Sequence, residues 1–387
     1  MKKNNIACYI SLNRQKKDGI THFISEIFAN LEKSEDMNYF FNAYLSLRDK
    51  KSVALKDFQK IVPQREVRVK KTIFINKLKR HICEFWLPYI YRRFMNNGAD
   101  AHVFFNNYVP FCKFKGKVAV IIHDLTPIYS SGGKSLLSKC KRIRNFLRYK
   151  HTVKVADLIF TVSEFSANDI IKHFPQAEGK IVVNYCGMDY ERFSKPVPEE
   201  LKRAIRAEYK LPDKYFLFVG QARENKNLKN TIKGYSLLPE ETRKEYKLVL
   251  ANHTQDLVSL AENLGVKDDI KFLSGIKEEH LVGVFQMAFA ELLISFSEGF
   301  GLPMVEAMAA GVPSITSNCS CLPEVAGGAA LLVDPYDAEE IKNGMQRLIE
   351  DGNLRQELIE KGKIRAKDFS WSNTAQVFET KLRELCR

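Results

Sequence analysis

The sequence predicts an α/β protein made of two doubly wound domains, each with a parallel sheet covered by helices. Three observations carry this. Short apolar runs alternate with amphipathic stretches along the chain, as βαβ units require. The series then restarts after a proline-punctuated polar segment, SKPVPEE at 194–200, which reads as a linker. Finally, 387 residues that are 45% hydrophobic suit two cores better than one, at about 100–200 residues per domain.

In the first half, NIACYISL, NYFFNAYLSL, AHVFFNN, KVAVIIHD, DLIFTVS and KIVVNY read as strands. They are rich in Val, Ile, Phe and Tyr, and several are apolar on both faces, as buried parallel strands are. Between them, THFISEIFANLEK and SEFSANDIIKHF read as helices, the second capped by Ser163 or Ser166. In the second half the strands are YFLFVGQ, YKLVLAN, DIKFLSG, AELLISFS, VPSITSN and AALLVD. NLKNTIKGYSLL, DLVSLAENLG, EEHLVGVFQMA and PMVEAMAAG fill the gaps as helices. The expected domains are 1–195 and 196–369. Open α/β sheets bind ligands beyond the carboxyl ends of their strands, and two such domains can face one central cleft.

Composition narrows the classes. No stretch reaches the roughly 18–20 continuous apolar residues of a membrane-spanning helix. MKKNNIACYISLN has a short apolar run and reads as a first strand, not a signal peptide. The eight cysteines are scattered, and only Cys319 and Cys321 are close, one residue apart, which is poor spacing for zinc. They read as buried small hydrophobes in a reducing cytoplasm. The net charge of +14 is lopsided: residues 1–195 carry +18 and the remainder −4. A basic half can serve nucleic acid, an anionic membrane or an anionic substrate.

The stretch SEGFGLPMVEAMAAG carries the most chemistry. It is a strand-to-helix loop, with Pro303 in the first turn of the helix, where proline is tolerated. Amides at Gly299, Phe300, Gly301 and Leu302 can face an anion, helped by the helix N-terminus. Glu298 sits in the loop and Glu306 about one turn into the helix. Two acids would repel a phosphate, so they fit neutral hydroxyls such as those of sugars. A second strand–turn–helix, FLFVGQARENKNLKN, brings Arg223, Lys226 and Lys229 to a helix start, where cations oppose the macrodipole. A bound anion removes that conflict, so Lys226 reads as a diphosphate ligand. In the first half, His123 and Asp124 follow the strand of VIIHDLTP, and Gly19 makes a turn before the first helix.

SEGFGLPMVEAMAAGVPSITSN resembles the signature of glycosyltransferase family 4, the retaining group-1 glycosyltransferases of GT-B fold. HDLTP, TVSEFSANDII, VVNYCGMD, FVGQARENKNL and CLPEVAGGAALLVDP follow that family's order. FSWSNTAQVF resembles its terminal crossover helix, which assigns about 370–387 to the first domain. The resemblance implies an acceptor-binding N-terminal domain and a nucleotide-sugar-binding C-terminal one. It implies that Glu298 faces the donor sugar and that the Phe300–Gly301–Leu302 backbone holds sugar and phosphate. Glu306 would bind ribose hydroxyls, Lys226 would clamp the diphosphate, and Gly19 would let the first loop approach it. His123 would contact the sugar near the anomeric carbon, and Ile276 the base. Many members carry an arginine shortly before the phosphate lysine. Here Gln221 and Asn225 stand in that stretch and Arg223 is the available cation. Cys321 and Gly328 replace a usual Ser and Asp.

The resemblance implies retaining transfer from a nucleoside-diphosphate sugar by positioning and charge stabilisation, with no cofactor, metal or dedicated base. The expected function is transfer of a hexose to a glycan acceptor in bacterial surface polysaccharide (O-antigen or capsule) synthesis. HDLTP and the CLPEVAG region look most like those of mannosyl- and related transferases, so mannose from GDP-mannose is the first donor. The alternatives are a UDP-sugar donor on the same fold, or a non-catalytic sugar-nucleotide-binding or scaffold protein. Residues 65–93 and 134–150 interleave basic with apolar residues. They suit an anionic lipid surface, hence a cytoplasmic enzyme peripheral on the inner face of the membrane with a lipid-linked glycan acceptor. No nucleic-acid motif is present, so nucleic acid is not an expected partner.

Overall fold

The computed structural model describes residues 4–11, 19–31, 37–46, 66–72, 98–129 and 136–387. The chain divides into two units: Met1–Gly187 with Trp371–Arg387, and Met188–Ser370.

Unit 1 holds β1 (Asn4–Ser11), β2 (Met37–Ser46), β3 (Glu66–Thr72), β4 (Ala101–Phe104), β5 (Lys117–Ile121), β6 (Leu158–Thr161) and β7 (Ile181–Val183). Among the described residues these form one sheet of order β3-β2-β1-β4-β5-β6-β7, parallel throughout. β4, β5 and β6 are buried on both faces along nearly their whole length, because helices cover both sides of a parallel sheet. The helix Glu164–His173 starts at Ser163, whose hydroxyl accepts from Ser166 N; Ser166 itself is inside the helix. Helix Trp371–Leu385 belongs to this unit. Phe378 meets Phe28, Phe105 and Phe160 at ring distances of 5.2–6.1 Å, and Thr374 bonds to Asn184 and Tyr185.

Unit 2 holds β8 (Lys214–Val219), β9 (Tyr246–Ala251), β10 (Ile270–Leu273), β11 (Ala290–Leu293), β12 (Ser314–Ser317) and β13 (Leu331–Val333). Their order is β10-β9-β8-β11-β12-β13, again parallel. Strand order reverses between β1 and β4 in unit 1 and between β8 and β11 in unit 2. Loops diverge at such a point and leave a crevice at the carboxyl edge.

Three details differ from the sequence reading. The break falls between Gly187 and Met188, not at 195. Met188 N donates to Phe369 O, and Phe193 packs against Phe285, so this stretch is held by unit 2. SKPVPEE therefore lies inside unit 2, where Val197 N donates to Gln286 Oε1. In the segment 65–93, residues 66–72 form edge strand β3; 73–93 lie outside the described residues. Gly19 is the first residue of helix Gly19–Asn30, and the loop before it lies outside the described residues.

Candidate functional site

The loops after β8 and β11 meet at the switch point of unit 2. After β8 the chain makes a tight turn, Glu224–Lys226, and enters helix Leu228–Ser236 through Asn227 in left-handed conformation. Phe296 N donates to Asn225 O at 2.8 Å, and Asn225 Nδ2 donates to Ser297 O at 2.9 Å. These bonds bring the basic turn against the acidic loop. Lys226 Nζ then lies 2.6 Å from Glu298 Oε1, with side-chain exposures of 15% and 11%. At that burial the pair is only weakly screened by water.

Glu298 is also fixed through its backbone. Its N–H donates to Ser320 Oγ and its carbonyl accepts from the same hydroxyl, both at 3.0 Å. Cys321 Sγ reaches that carbonyl at 3.2 Å. Helix Leu302–Ala309 follows, with Pro303 in its first turn and Gly301 before it at φ 97°. A Cβ at Gly301 would lie 2.8 Å from Leu322 Cδ2 and 3.2 Å from Leu293 Cδ2, and the positive φ itself favours glycine. Phe300 turns inward and packs edge-on against Phe369; its backbone, not its ring, is left to face a ligand. Gly299 and Leu302 are half-buried.

Glu306 keeps a partly exposed edge, but protein surrounds its carboxyl. Removal from water pushes it up to about 8, Glu278 adds to the rise, and Arg192 opposes it. Arg192 is itself paired with Glu278, Nη1 to Oε1 at 2.7 Å. Ile276 is half-buried just beyond β10. Arg223 is exposed at the start of the basic turn, and Lys229 pairs with Asp256 at 2.9 Å.

The sequence reading missed Glu291. It lies wholly buried in β11, in register with Ser314 of β12. Burial pushes its carboxyl up to about 8; Ser314 and Lys226 counteract, while Glu306 and Glu298 reinforce. The signal available in the sequence was one acid inside an otherwise apolar strand. Glu291 thus feels the charges of Lys226, Glu298 and Glu306, and the two raised carboxyls, Glu291 and Glu306, are mostly neutral at pH 7.

Unit 1 holds the other two candidates. His123 lies just beyond β5, with its N–H donating to Asn107 Oδ1 at 3.0 Å and its ring edge-on to Phe23 at 5.1 Å. Gly19 begins its helix after the carboxyl end of β1, on the same sheet edge. Among the described residues no three His, Cys, Asp or Glu side chains gather where they could hold a metal ion.

Chemically, unit 2 offers a cation, a run of helix-start amides and a mostly neutral carboxyl within one loop cluster. That combination binds a phosphate group and hydroxyls together.

Residues 202–365 match the family Glycosyl transferases group 1. O-antigen chain mannosyltransferase B of Escherichia coli is 34% identical over 239 residues, 60% of this chain and 62% of that protein. The serotype-specific mannosyltransferase WbdA of Escherichia coli is 29% identical over 269 residues, 67% of this chain and 32% of that protein. The chain therefore matches less than two thirds of the length of these relatives. Among solved structures, sucrose-phosphate synthase of Thermosynechococcus elongatus covers 99% of both chains with a TM-score of 0.77 at 17% identity. The shared architecture is GT-B.

Proposed function

We propose that this chain, whose residues 202–365 match the family Glycosyl transferases group 1, transfers a hexose from a nucleoside-diphosphate sugar to a glycan with retention of configuration. The observation that carries this is the Lys226–Glu298 pair at the β8/β11 switch point, beside the helix that bears Glu306. Lys226 and the amides of Gly299–Leu302 neutralise the diphosphate. Glu298 accepts from sugar hydroxyls and Glu306 from ribose hydroxyls. Arg223, exposed at the turn, supplies a second cation, and Ile276 contacts the base. The carbon–oxygen bond to phosphate breaks while the acceptor hydroxyl attacks from the same face. The leaving phosphate oxygen takes the hydroxyl proton, so the step balances without a side-chain base. Unit 1 binds the acceptor; in the same reading its His123 contacts the donor sugar near the anomeric carbon and Gly19 lets the first loop approach the diphosphate.

Likeness to an O-antigen chain mannosyltransferase and to a serotype-specific mannosyltransferase supports mannose, carried by GDP, as the donor sugar and a surface polysaccharide as the product. Helix Leu136–Val155 exposes Lys139, Lys141, Arg142 and Lys150 together with Ile143, Phe146 and Leu147. This mixed face supports docking on anionic lipid, where a lipid-linked acceptor would be found. No helix among the described residues is long and apolar enough to cross a membrane.

A thermal-shift panel of GDP, UDP, ADP and their sugars tests the donor. Selective stabilisation by GDP and GDP-mannose is expected, reduced in Lys226→Ala and Glu306→Ala. A selective UDP or ADP response overturns the donor and keeps the site. No response to any of them favours a scaffold role.

A further inference from the structure

We propose that Ser320 is a positioning residue that holds Glu298 against Lys226. The inference deepens the donor-site reading above and rests on it for its kinetic consequence. After β12 the chain runs alongside the loop that follows β11 and bonds to it at almost every residue. Ser317 Oγ donates to Ser295 O at 2.6 Å. Cys319 Sγ reaches Phe296 O at 3.7 Å. Ser320 Oγ both accepts from Glu298 N and donates to Glu298 O, and Cys321 Sγ adds a contact to that carbonyl. The segment is anchored in turn, since Asn318 N donates to Val333 O at 2.9 Å. It forms a clamp tied to the sheet.

Ser320 differs from its neighbours in two ways. It is the clamp residue that satisfies both backbone groups of Glu298, so it fixes the orientation of that peptide and not only its distance. It also sits at φ 62°, where a residue with a side chain is disfavoured and glycine is at ease. There its hydroxyl is placed by its two bonds to the Glu298 backbone. Backbone strain retained beside a functional loop is tolerated when the side chain is needed there. Glu298 needs such support because Lys226 attracts its carboxylate and a diphosphate competes for Lys226. When a donor binds, Lys226 turns part of its charge to phosphate. A loop held only by the ion pair would then drift, whereas one held through its own peptide keeps the carboxylate at the sugar.

Ser320→Gly separates the hydroxyl from the backbone. It removes the two bonds but suits the left-handed conformation, so its melting temperature stays close to that of the wild type. Ser320→Ala removes the same hydroxyl without that relief and melts lower. Two readouts on the full-length chain decide the matter. Hydrogen exchange followed by mass spectrometry is expected to speed up in peptides covering 295–301 in both variants and not elsewhere in unit 2. With a sugar nucleotide that the wild type uses, kcat is expected to fall on the order of 10- to 100-fold in both. KM for the donor moves far less, because Lys226 and the helix amides still hold the diphosphate. Unchanged exchange overturns the clamp. Faster exchange with unchanged kcat overturns the positioning role, as does a kcat loss that follows melting temperature and appears only in Ser320→Ala. A wild type that turns over no sugar nucleotide refutes the donor-site reading instead, and the exchange result still decides whether Ser320 fixes the Glu298 loop.

Discussion

Glu306 sets a pH dependence that separates it from its neighbours. Its carboxyl sits near 8 in the free protein because it is removed from water. Ribose hydroxyls donate to the ionised form and so favour it. Binding must then release a proton wherever free Glu306 is still protonated. Affinity for a sugar nucleotide, whose diphosphate does not titrate in this range, is expected to rise from about pH 6 to about pH 8 and level off above. Calorimetric titration across that range checks it, and Glu306→Gln should flatten the curve. A slope that survives Glu306→Gln assigns the proton to another group. Lys226 and Glu298 stand out in the sequence because each lies in a turn or loop that follows a recognisable strand, and Glu306 because it is the acid in the helix that follows. Glu291 offers a weaker signal, one acid in an apolar strand with no periodicity or turn beside it. Ser320 offers none, since its partners are set by two loops 22 residues apart in sequence.

At the scale of elements, the strands that stand out in the sequence are runs rich in Val, Ile, Leu, Phe and Tyr. β3 does not stand out because Glu66–Thr72 alternates valines with charged residues; it occupies a sheet edge. EEHLVGVFQMA, one helix by its pattern, is a short turn, Glu278–His280, followed by Leu281–Gln286. Two predictions belong here. Gly301→Ala should cost about 1–3 kcal/mol in denaturant unfolding. Its neighbours are ends of leucine side chains that can shift, but the positive φ remains. A variant as stable as the wild type would show that the turn before Leu302–Ala309 tolerates a side chain. On helix Leu136–Val155, neutralising Lys139, Lys141, Arg142 and Arg144 should abolish co-sedimentation with anionic vesicles. Binding that persists at wild-type level removes this helix as the docking face.

For the whole molecule, the two repeating βαβ series announce two units, while the boundary between them needed tertiary contacts to place. The units should respond oppositely to acid. In unit 1, buried His102 has Nε2 2.8 Å from Lys115 O and Nδ1 3.0 Å from Tyr9 OH. The first is a donor's position and the second suits an acceptor, so the ring is neutral. Burial lowers its pKa from the usual 6.5. Its contribution is full above about 6.5 and lost as pH falls below that. In unit 2, Glu291 and Glu306 are raised from 4.5 to about 8. Their contribution is full below about 4.5 and lost as pH rises through about 8. Trp371 belongs to unit 1, and unit 2 contains no tryptophan. Tryptophan fluorescence should therefore report a melting point that drops between about pH 6.5 and pH 5, while unit 2, followed by calorimetry, holds or gains. Parallel shifts would contradict the assignment. The claim on which the functional reading stands is that Lys226 binds the donor diphosphate. Calorimetric titration of GDP-mannose into the wild type and Lys226→Ala decides it. Loss of about 2 kcal/mol or more, on the order of 30-fold in Kd, is the expected result, and equal affinity in the two proteins would contradict it.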